Sequence, residues 1–279
     1  MKAKILVVSS ILILSACLSG PPASIRFPYL WPGTPGFGGD IDQARIPEPS
    51  GICFHPGRRT LYVVSDDGQV FEITKQGALV SRTEVPGDLE GITVEPSTGL
   101  LYIVVEGEDV ILEFDPNTRS VTRRFPINRR YGRDPQFLQK QVKAYDNGIE
   151  SLVFVPQARH REGGTFYAGN QWDPPCVLEL LVPLKSSRKA EAEAEILRVL
   201  PLKIDDPSGM YYDPSTRLLN IVCDADNILV EATLAGRVVR RYAFPGDNQE
   251  GLCRDDEGYL YIAQDSGGII KIKDLRQTR

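Results

Sequence analysis

Three glutamates, Glu90, Glu150 and Glu250, each stand directly before a small residue that opens a short apolar run: EGITV, ESLVFV and EGLC. Two runs of the same make, SGICF and SGMYY, carry Ser50 and Ser208 at that position. Carboxylates at equivalent points of repeated units converge when the units are arranged radially. In a partly desolvated space they repel one another unless a cation, a bridging water or a proton intervenes. Hard oxygen donors without thiolate or imidazole suit Ca²⁺ first and Mg²⁺ second. A second set follows the next apolar run of each unit: Asp66, Glu106, Asn170, Asp224 and Asp265. The expectation is a calcium site on Glu90, Glu150 and Glu250, with the second set as further oxygen donors. The competing reading is plainer: acidic residues crowd exposed loops, and Glu before Gly satisfies backbone amides at a strand start.

The elements that must position these residues follow from a repeat. The anchors Gly51, Gly91, Ser151, Gly209 and Gly251 are spaced by 40, 60, 58 and 42 residues. A period of about 40 residues is that of a four-stranded propeller blade. The longer intervals are the same unit with insertions. Within a unit, strand-sized runs rich in β-branched and aromatic residues (Leu61–Val64, Leu101–Val105, Leu260–Ala263) are bounded by turns such as EPSTG and DPSTR, which favours antiparallel β-structure. A third run (VFEIT, VILEFD, ILVEAT) and a fourth (LVSRTEV, VTRRFPI, VVRRYAF) complete each blade. The fold class is therefore all-β, a propeller of five four-stranded blades. The last unit stops after its third strand, so an N-terminal strand closes the ring and removes the exposed edge. DQARI, at Asp42–Ile46, reads as the end of that strand.

The N-terminus has a basic start (Lys2, Lys4), an apolar stretch over Ile5–Leu14 and then Leu14-Ser15-Ala16-Cys17. This fits a lipoprotein signal at 1–16, with Cys17 lipidated after cleavage; the apolar stretch is too short to span a bilayer. Leu18 rather than Asp after Cys17 points to the outer membrane, periplasmic face, in a Gram-negative host. Residues 17–41, rich in Pro and Gly, read as a tether, and 42–274 as one propeller domain. The formal charge of −5 becomes −7 without Lys2 and Lys4, so nucleic acid is excluded as a partner. The expected partners are the membrane, through Cys17, and an envelope ligand.

Other chemistry is excluded by position. His55 and His160 fall at the turn between first and second strands, on the face opposite the acidic one, so neither a Ser-His-Asp arrangement nor a His-ligated zinc site can form with the acidic ring. There is no EF-hand loop, P-loop or dinucleotide fingerprint. Cys53, Cys176, Cys223 and Cys253 remain in the mature chain, and no spacing selects a disulfide pair. Two insertions stand out. Asn128–Asp146 is basic and aromatic and emerges on the acidic face, where Arg130 and Lys143 are candidate contacts for an anionic ligand. The stretch around Leu184–Glu195, containing SSRKAEAEAE, reads as a flexible excursion.

The ordered series EPSGICFHPGRRTLYVVSDDGQVFEI, DLEGITVEP, NGIESLVF, DPSGMYYDPSTRLLNIVCD and QEGLCRDDEGYLYIAQD resembles the SdiA-regulated family of bacterial envelope propellers, over roughly 45–273. Ser151 departs from the usual Gly. The resemblance implies a propeller with calcium in its mouth and supplies no activity. The function read from the sequence is a lipid-anchored binding or scaffold propeller of the cell envelope. The alternative is a calcium-dependent phosphoesterase resembling propeller phytases.

Overall fold

A computed structural model describes residues 25–30, 39–138 and 148–276 of the chain. Two short N-terminal strands, β1 (Ile25–Arg26) and β2 (Tyr29–Leu30), precede five blades. Blade 1 is β3 (Pro49–His55), β4 (Thr60–Ser65), β5 (Gln69–Ile73) and β6 (Leu79–Glu84). Blade 2 is β7 (Leu89–Val94), β8 (Leu101–Val105), β9 (Val110–Asp115) and β10 (Ser120–Pro126). Blade 3 is β11 (Ile149–Pro156), β12 (Gly164–Asn170), β13 (Cys176–Leu181) and β14 (Glu195–Val199). Blade 4 is β15 (Gly209–Asp213), β16 (Leu218–Cys223), β17 (Ile228–Thr233) and β18 (Val238–Ala243). Blade 5 is β19 (Gln249–Arg254), β20 (Tyr259–Gln264) and β21 (Ile269–Asp274), with β2 as its outer strand. Contacts run β3 to β7 to β11 to β15 to β19 and back to β3, so the first strands ring a central axis.

The predicted five-bladed propeller is therefore the observed fold, closed by an N-terminal strand. The closing strand is not where the sequence placed it. Tyr29 and Leu30 pair with Asp274 and Lys273, and Asp40 bridges to Ile270 further along the same edge. Asp42–Ile46 is irregular chain folded over the blade 5–blade 1 seam, with Asp42 Oδ2 accepting from the Ile46 amide at 2.8 Å and Ile46 buried. A two-residue strand holds no period for a pattern to reveal.

The Ala/Glu stretch read as a flexible excursion is a fifth edge segment on blade 2. Arg124 N–H donates to Ala190 O at 2.8 Å, Ala192 N–H to Arg124 O at 3.1 Å, and Asn128 N–H to Ala194 O at 2.8 Å. Ala194 is buried in the core between blades 2 and 3. Likewise β1 lies parallel to β18 on blade 4. Chain segments thus cover sheet edges that would otherwise invite pairing with other chains.

Five apolar clusters fill the five wedges between neighbouring blades. The repeated Gly explains itself here. A Cβ on Gly51 would sit 2.2 Å from Glu90 O, one on Gly91 2.3 Å from Leu152 N, and one on Gly251 2.3 Å from Ser50 O. Only glycine lets successive first strands approach this closely. Blade 3 carries Ser151 instead, and its hydroxyl donates across the seam to Pro207 O at 2.6 Å.

Each of the first four blades also carries a glutamate on its third strand, buried in blades 1, 2 and 4 and half-buried in blade 3. Glu72, Glu113, Glu179 and Glu231 pair with Arg58, Arg123, Arg198 and Arg276, at 3.6 Å for Arg58, 2.6 Å for Arg198 and 2.7 Å for Arg276. Arg276 Nη2 also reaches Tyr211 Oη at 2.7 Å and Asp274 at 2.8 Å, locking the C-terminal end between blades 4 and 5. The four cysteines among the described residues, Cys53, Cys176, Cys223 and Cys253, are free and buried.

Candidate functional site

The acidic mouth is assembled by a backbone device. In four blades the residue two places before the Ser or Glu of the inner set offers its carbonyl to the chain leaving the second strand; in blade 4 the Asp206 carboxylate does so instead, accepting from Ala225 N–H. Asp66 N–H donates to Glu48 O at 3.4 Å, Glu106 N–H to Asp88 O at 2.9 Å, Gln171 N–H to Gly148 O at 2.9 Å, and Asp265 N–H to Asn248 O at 3.0 Å. These bonds draw the outer set of side chains beside the first-strand starts, on one face.

The donor atoms group unevenly. Asp66, Asp88 and Glu90 bring one carboxylate oxygen each within 4.8 Å of the others. Glu150 and Glu250 stand outside that trio but share its field. Glu90 is 7% exposed, and no hydrogen bond reaches its carboxylate among the described residues. Burial holds its carboxyl well above the usual range, reinforced by Asp66, Glu150, Glu250 and Asp88. Glu150 is raised well by burial and then by Asp206, Glu106 and Glu250. Burial pushes Glu250 up to about 9, aided by Asp265, Asp66, Asp224 and Asp206. Asp66 is pushed up to about 7 by burial, against the lowering effect of the Ser50 hydroxyl bonded to its Oδ1. The directions agree: in this mouth negative charge is disfavoured in the absence of a compensating cation.

The other predicted donors have more local roles. Asn170 donates to Trp172 O at 2.5 Å and to Pro174 O at 2.8 Å, folding the loop over blade 3. Asp224 Oδ1 accepts from the Gln249 amide at 2.9 Å, and burial still raises its pKa. Glu106 is buried against Gly148, where a Cβ would lie 2.5 Å from its Cγ. Asp265 is half-buried at the rim. Ser208 spends its hydroxyl on Gln249 O at 2.9 Å, across the blade 4–blade 5 seam.

Sequence reasoning passed over Asp88 and Asp206. Asp206 is 5% exposed, with left-handed φ of 51°. Its Oδ2 accepts from Ala225 N–H at 2.9 Å, and its Oδ1 has no hydrogen-bond partner among the described residues. The signal was present: Glu48, Asp88 and Asp206 stand two residues before Ser50, Glu90 and Ser208 in E-P-S-G, D-L-E-G and D-P-S-G.

In the basic insertion, Arg129 is paired with Asp109, Tyr131 packs on Phe137 at 5.4 Å between centroids, and Arg130 is exposed. Lys143 and Cys17 lie outside the described residues. His55 Nε2 bonds Gly99 O at 3.0 Å in the turns of the opposite face. Between the faces the channel narrows to a neck with about 10 Å³ of free space, lined by Gly51, Gly91, Gly209 and Gly251. That is room for a single water at most.

Fold and site together define a five-bladed β-propeller with a carboxylate-lined mouth. A family profile described as SdiA-regulated matches residues 34–267. The chain belongs to the SdiA-regulated family. No curated protein matches the sequence. Among solved structures, the glutaminyl cyclase of Myxococcus xanthus is similar with a TM-score of 0.61 and 9% identity, over 90% of this chain and 98% of that one. A Bacteroides caccae protein of unknown function gives a TM-score of 0.46 and 15% identity, over 77% of this chain and 70% of that one. Hydrazine synthase of Kuenenia stuttgartiensis gives 0.46 and 16%, over 82% of this chain and 58% of that one. The Myxococcus likeness is one of fold.

Proposed function

We propose that the protein is a lipid-anchored envelope propeller that binds its ligand through a cation held at the acidic mouth. The observation that carries the reading is the Asp66–Asp88–Glu90 trio, with Glu90 buried and without a hydrogen-bond partner for its carboxylate among the described residues. The donor set is all oxygen and carboxylate-rich, which fits Ca²⁺, an ion that takes several oxygens in flexible geometry. Asp66, Asp88 and Glu90 would hold the ion. It would supply a positive charge and open coordination positions for an anionic or oxygen-rich group. Glu150 and Glu250 shape the rest of the mouth, and the exposed Arg130 is a candidate contact for an anionic ligand. Anchoring rests on Cys17 and its preceding apolar stretch.

Calorimetric titration of metal-free protein tests the cation. Saturable Ca²⁺ binding, lost in an Asp66→Asn/Asp88→Asn variant whose ion-free melting temperature is no lower than that of the parent, is the expected result; no binding heat and no thermal shift would sink it. Fractionation tests the anchor: Cys17→Ala should move the protein out of the membrane fraction, and continued membrane association would contradict it.

A second reading, calcium-dependent hydrolysis of a phosphoester, draws on one observation. In the ion-free mouth, burial and the neighbouring acids raise the Glu250 carboxyl, which favours the protonated form that a general acid needs. Turnover of phosphomonoesters that needs Ca²⁺ and is lost in Glu250→Gln would establish it. Absence of turnover in calcium-loaded protein leaves the binding reading standing alone.

A further inference from the structure

The turns on the face opposite the acidic mouth are basic. Those between first and second strands bring exposed Arg58 and Arg59 on blade 1, Arg159 and Arg161 on blade 3, and Arg217 on blade 4. The connections between third and fourth strands add exposed Arg119 on blade 2, Lys185 on blade 3 and Arg237 on blade 4. Lys185 is fixed beside the first turn of its blade by its amide, which donates to Glu162 Oε2 at 2.6 Å. In the turns between first and second strands the exposed acids are Asp256 and Glu257, and Arg59 and Lys75 already pair with both. Arg119, Arg159, Lys185, Arg217 and Arg237 make no ion pair among the described residues. A chain of formal charge −5 thus presents its acids at one end of the channel and unpaired bases at the other.

We propose that this basic face docks on an anionic lipid surface and turns the acidic mouth away from it, a reading that rests on lipidation at Cys17. The tether limits the distance. Cys17 to Ile25 is eight steps along the chain, at most about 29 Å when fully extended, so the blade 4 edge stays that close to the bilayer. The direction of the chain agrees. Strand β1 runs parallel to β18, and β18 starts directly after Arg237, so the N-terminal end of β1 points back toward the basic face. Charge then selects the orientation. An anionic surface repels the acidic mouth and attracts the basic turns, and each Lys or Arg close to it favours the docked state about fivefold. The attraction dies away over a Debye length of about 10 Å, so exposed turn residues count and distant charges do not. The same turns carry Pro56, Pro96, Pro156 and Pro214, all exposed, around the channel opening. An uncharged, apolar centre ringed by bases suits a headgroup layer, with phosphates around the ring and no charge to desolvate in the middle.

Hydrogen–deuterium exchange of the mature lipidated chain, held in phosphatidylcholine vesicles with and without phosphatidylglycerol, tests this. The expected result is slower exchange at 156–163 and 214–217 on the phosphatidylglycerol vesicles, with the acidic-face loops 224–227 and 264–268 unchanged. Arg159→Glu/Arg217→Glu/Arg237→Glu should cut the docked population about a hundredfold, from about fivefold per base lost, and return exchange to the phosphatidylcholine rate. Salt at about 1 M, where the Debye length is about 3 Å, should do the same to the parent, and keeps the test decisive if the variant does not fold. In each case the chain stays with the vesicles, because the anchor holds it. Equal exchange on the two vesicles, slowing that survives salt, or slowing at the acidic-face loops would each overturn the proposal. So would protection by poly-glutamate where the vesicles give none, which assigns the face to an acidic polypeptide. Protection that rises with protein density on phosphatidylcholine alone assigns it to the acidic face of a second copy, and equally overturns the proposal. A chain that washes off both vesicles refutes the anchor at Cys17, and the docking with it.

Discussion

The chain holds two populations of inward-facing carboxylates, and they behave oppositely. At the blade peripheries, burial would raise the Glu113 carboxyl, but hydrogen bonds from Arg123, Thr122 and Tyr102 take it below the ordinary value. At the mouth, burial raises Glu90, Glu150 and Glu250, and their neighbours raise them further because those neighbours are also acids. The same side chain is a structural fastener where an arginine has been built against it and an electrostatic cost where none has. That contrast is what supports the cation proposed for the mouth, and it sets the arginine-paired carboxylates of the blade peripheries apart as structural.

The largest effect is expected at the blade peripheries. Arg276→Ala strands the buried Glu231 and leaves the buried Asp274 with only the more distant guanidinium of Arg254, at 3.6 Å. Removing one partner of a buried ion pair costs about 3–5 kcal/mol, to be read from urea denaturation. A loss below about 1 kcal/mol would mean that the peripheral pairs are incidental.

At the mouth the sign reverses. Glu90→Gln in calcium-free protein should stabilise at pH 7, because burial and the neighbouring acids disfavour the charged carboxylate in the folded state but not in the unfolded chain. The gain should vanish near pH 4.5, the ordinary value for glutamate. Destabilisation at pH 7 would place Glu90 among the paired carboxylates.

The pH profile follows from the same sign. Glu250 and Asp66 have folded pKa values of about 9 and about 7, above their ordinary 4.5 and 3.8. Each raised group contributes its full stability below the ordinary value and loses it as pH rises toward the folded value. Calcium-free protein should therefore lose stability from about pH 4 to pH 9, with a slope of up to about 1.4 kcal/mol per pH unit for each group titrating. Denaturation midpoints across that range check it; a flat or rising profile contradicts it.

The smallest effect concerns the added edge on blade 2. Ala192→Pro removes the N–H that bonds Arg124 O and should cost about 1 kcal/mol with unchanged circular dichroism. No cost at all would make the segment a passive passenger.

How much of this was legible follows the lengths of the pieces. The blades were readable because each repeats an apolar–turn–apolar phrase with a glycine that close strand approach demands, as at Gly51 and Gly91. The inner and outer acidic positions were readable because they recur at fixed places in that phrase. The closing strand was not, since Tyr29–Leu30 is too short to show alternation. The edge segment at 190–194 was masked by its composition: Ala and Glu alternate there as in a solvated stretch, and only the neighbouring blade makes a strand of it. Asp88 and Asp206 were not legible beside the glycine, because they stand two places earlier, where the Asp88 carbonyl and the Asp206 carboxylate draw the loop in. The Glu–Arg pairs escaped because a lone Glu inside VILEFD or ILVEAT looks like an exposed face, and the partner arrives from another strand or, as Arg276, from beyond the last blade.

The measurement that tests the central claim most directly is proton release on calcium binding. Calorimetric titrations of Ca²⁺ at pH 6.5, in two buffers of different ionisation enthalpy, give the number of protons displaced per ion. If the mouth holds protons in place of a cation, at least one proton should leave per ion bound, and the release should fall in Glu90→Gln. Calcium binding with no proton release, identical in the two buffers, would mean that the mouth carboxylates are already ionised and compensated, and the contrast drawn between mouth and blade periphery would fail.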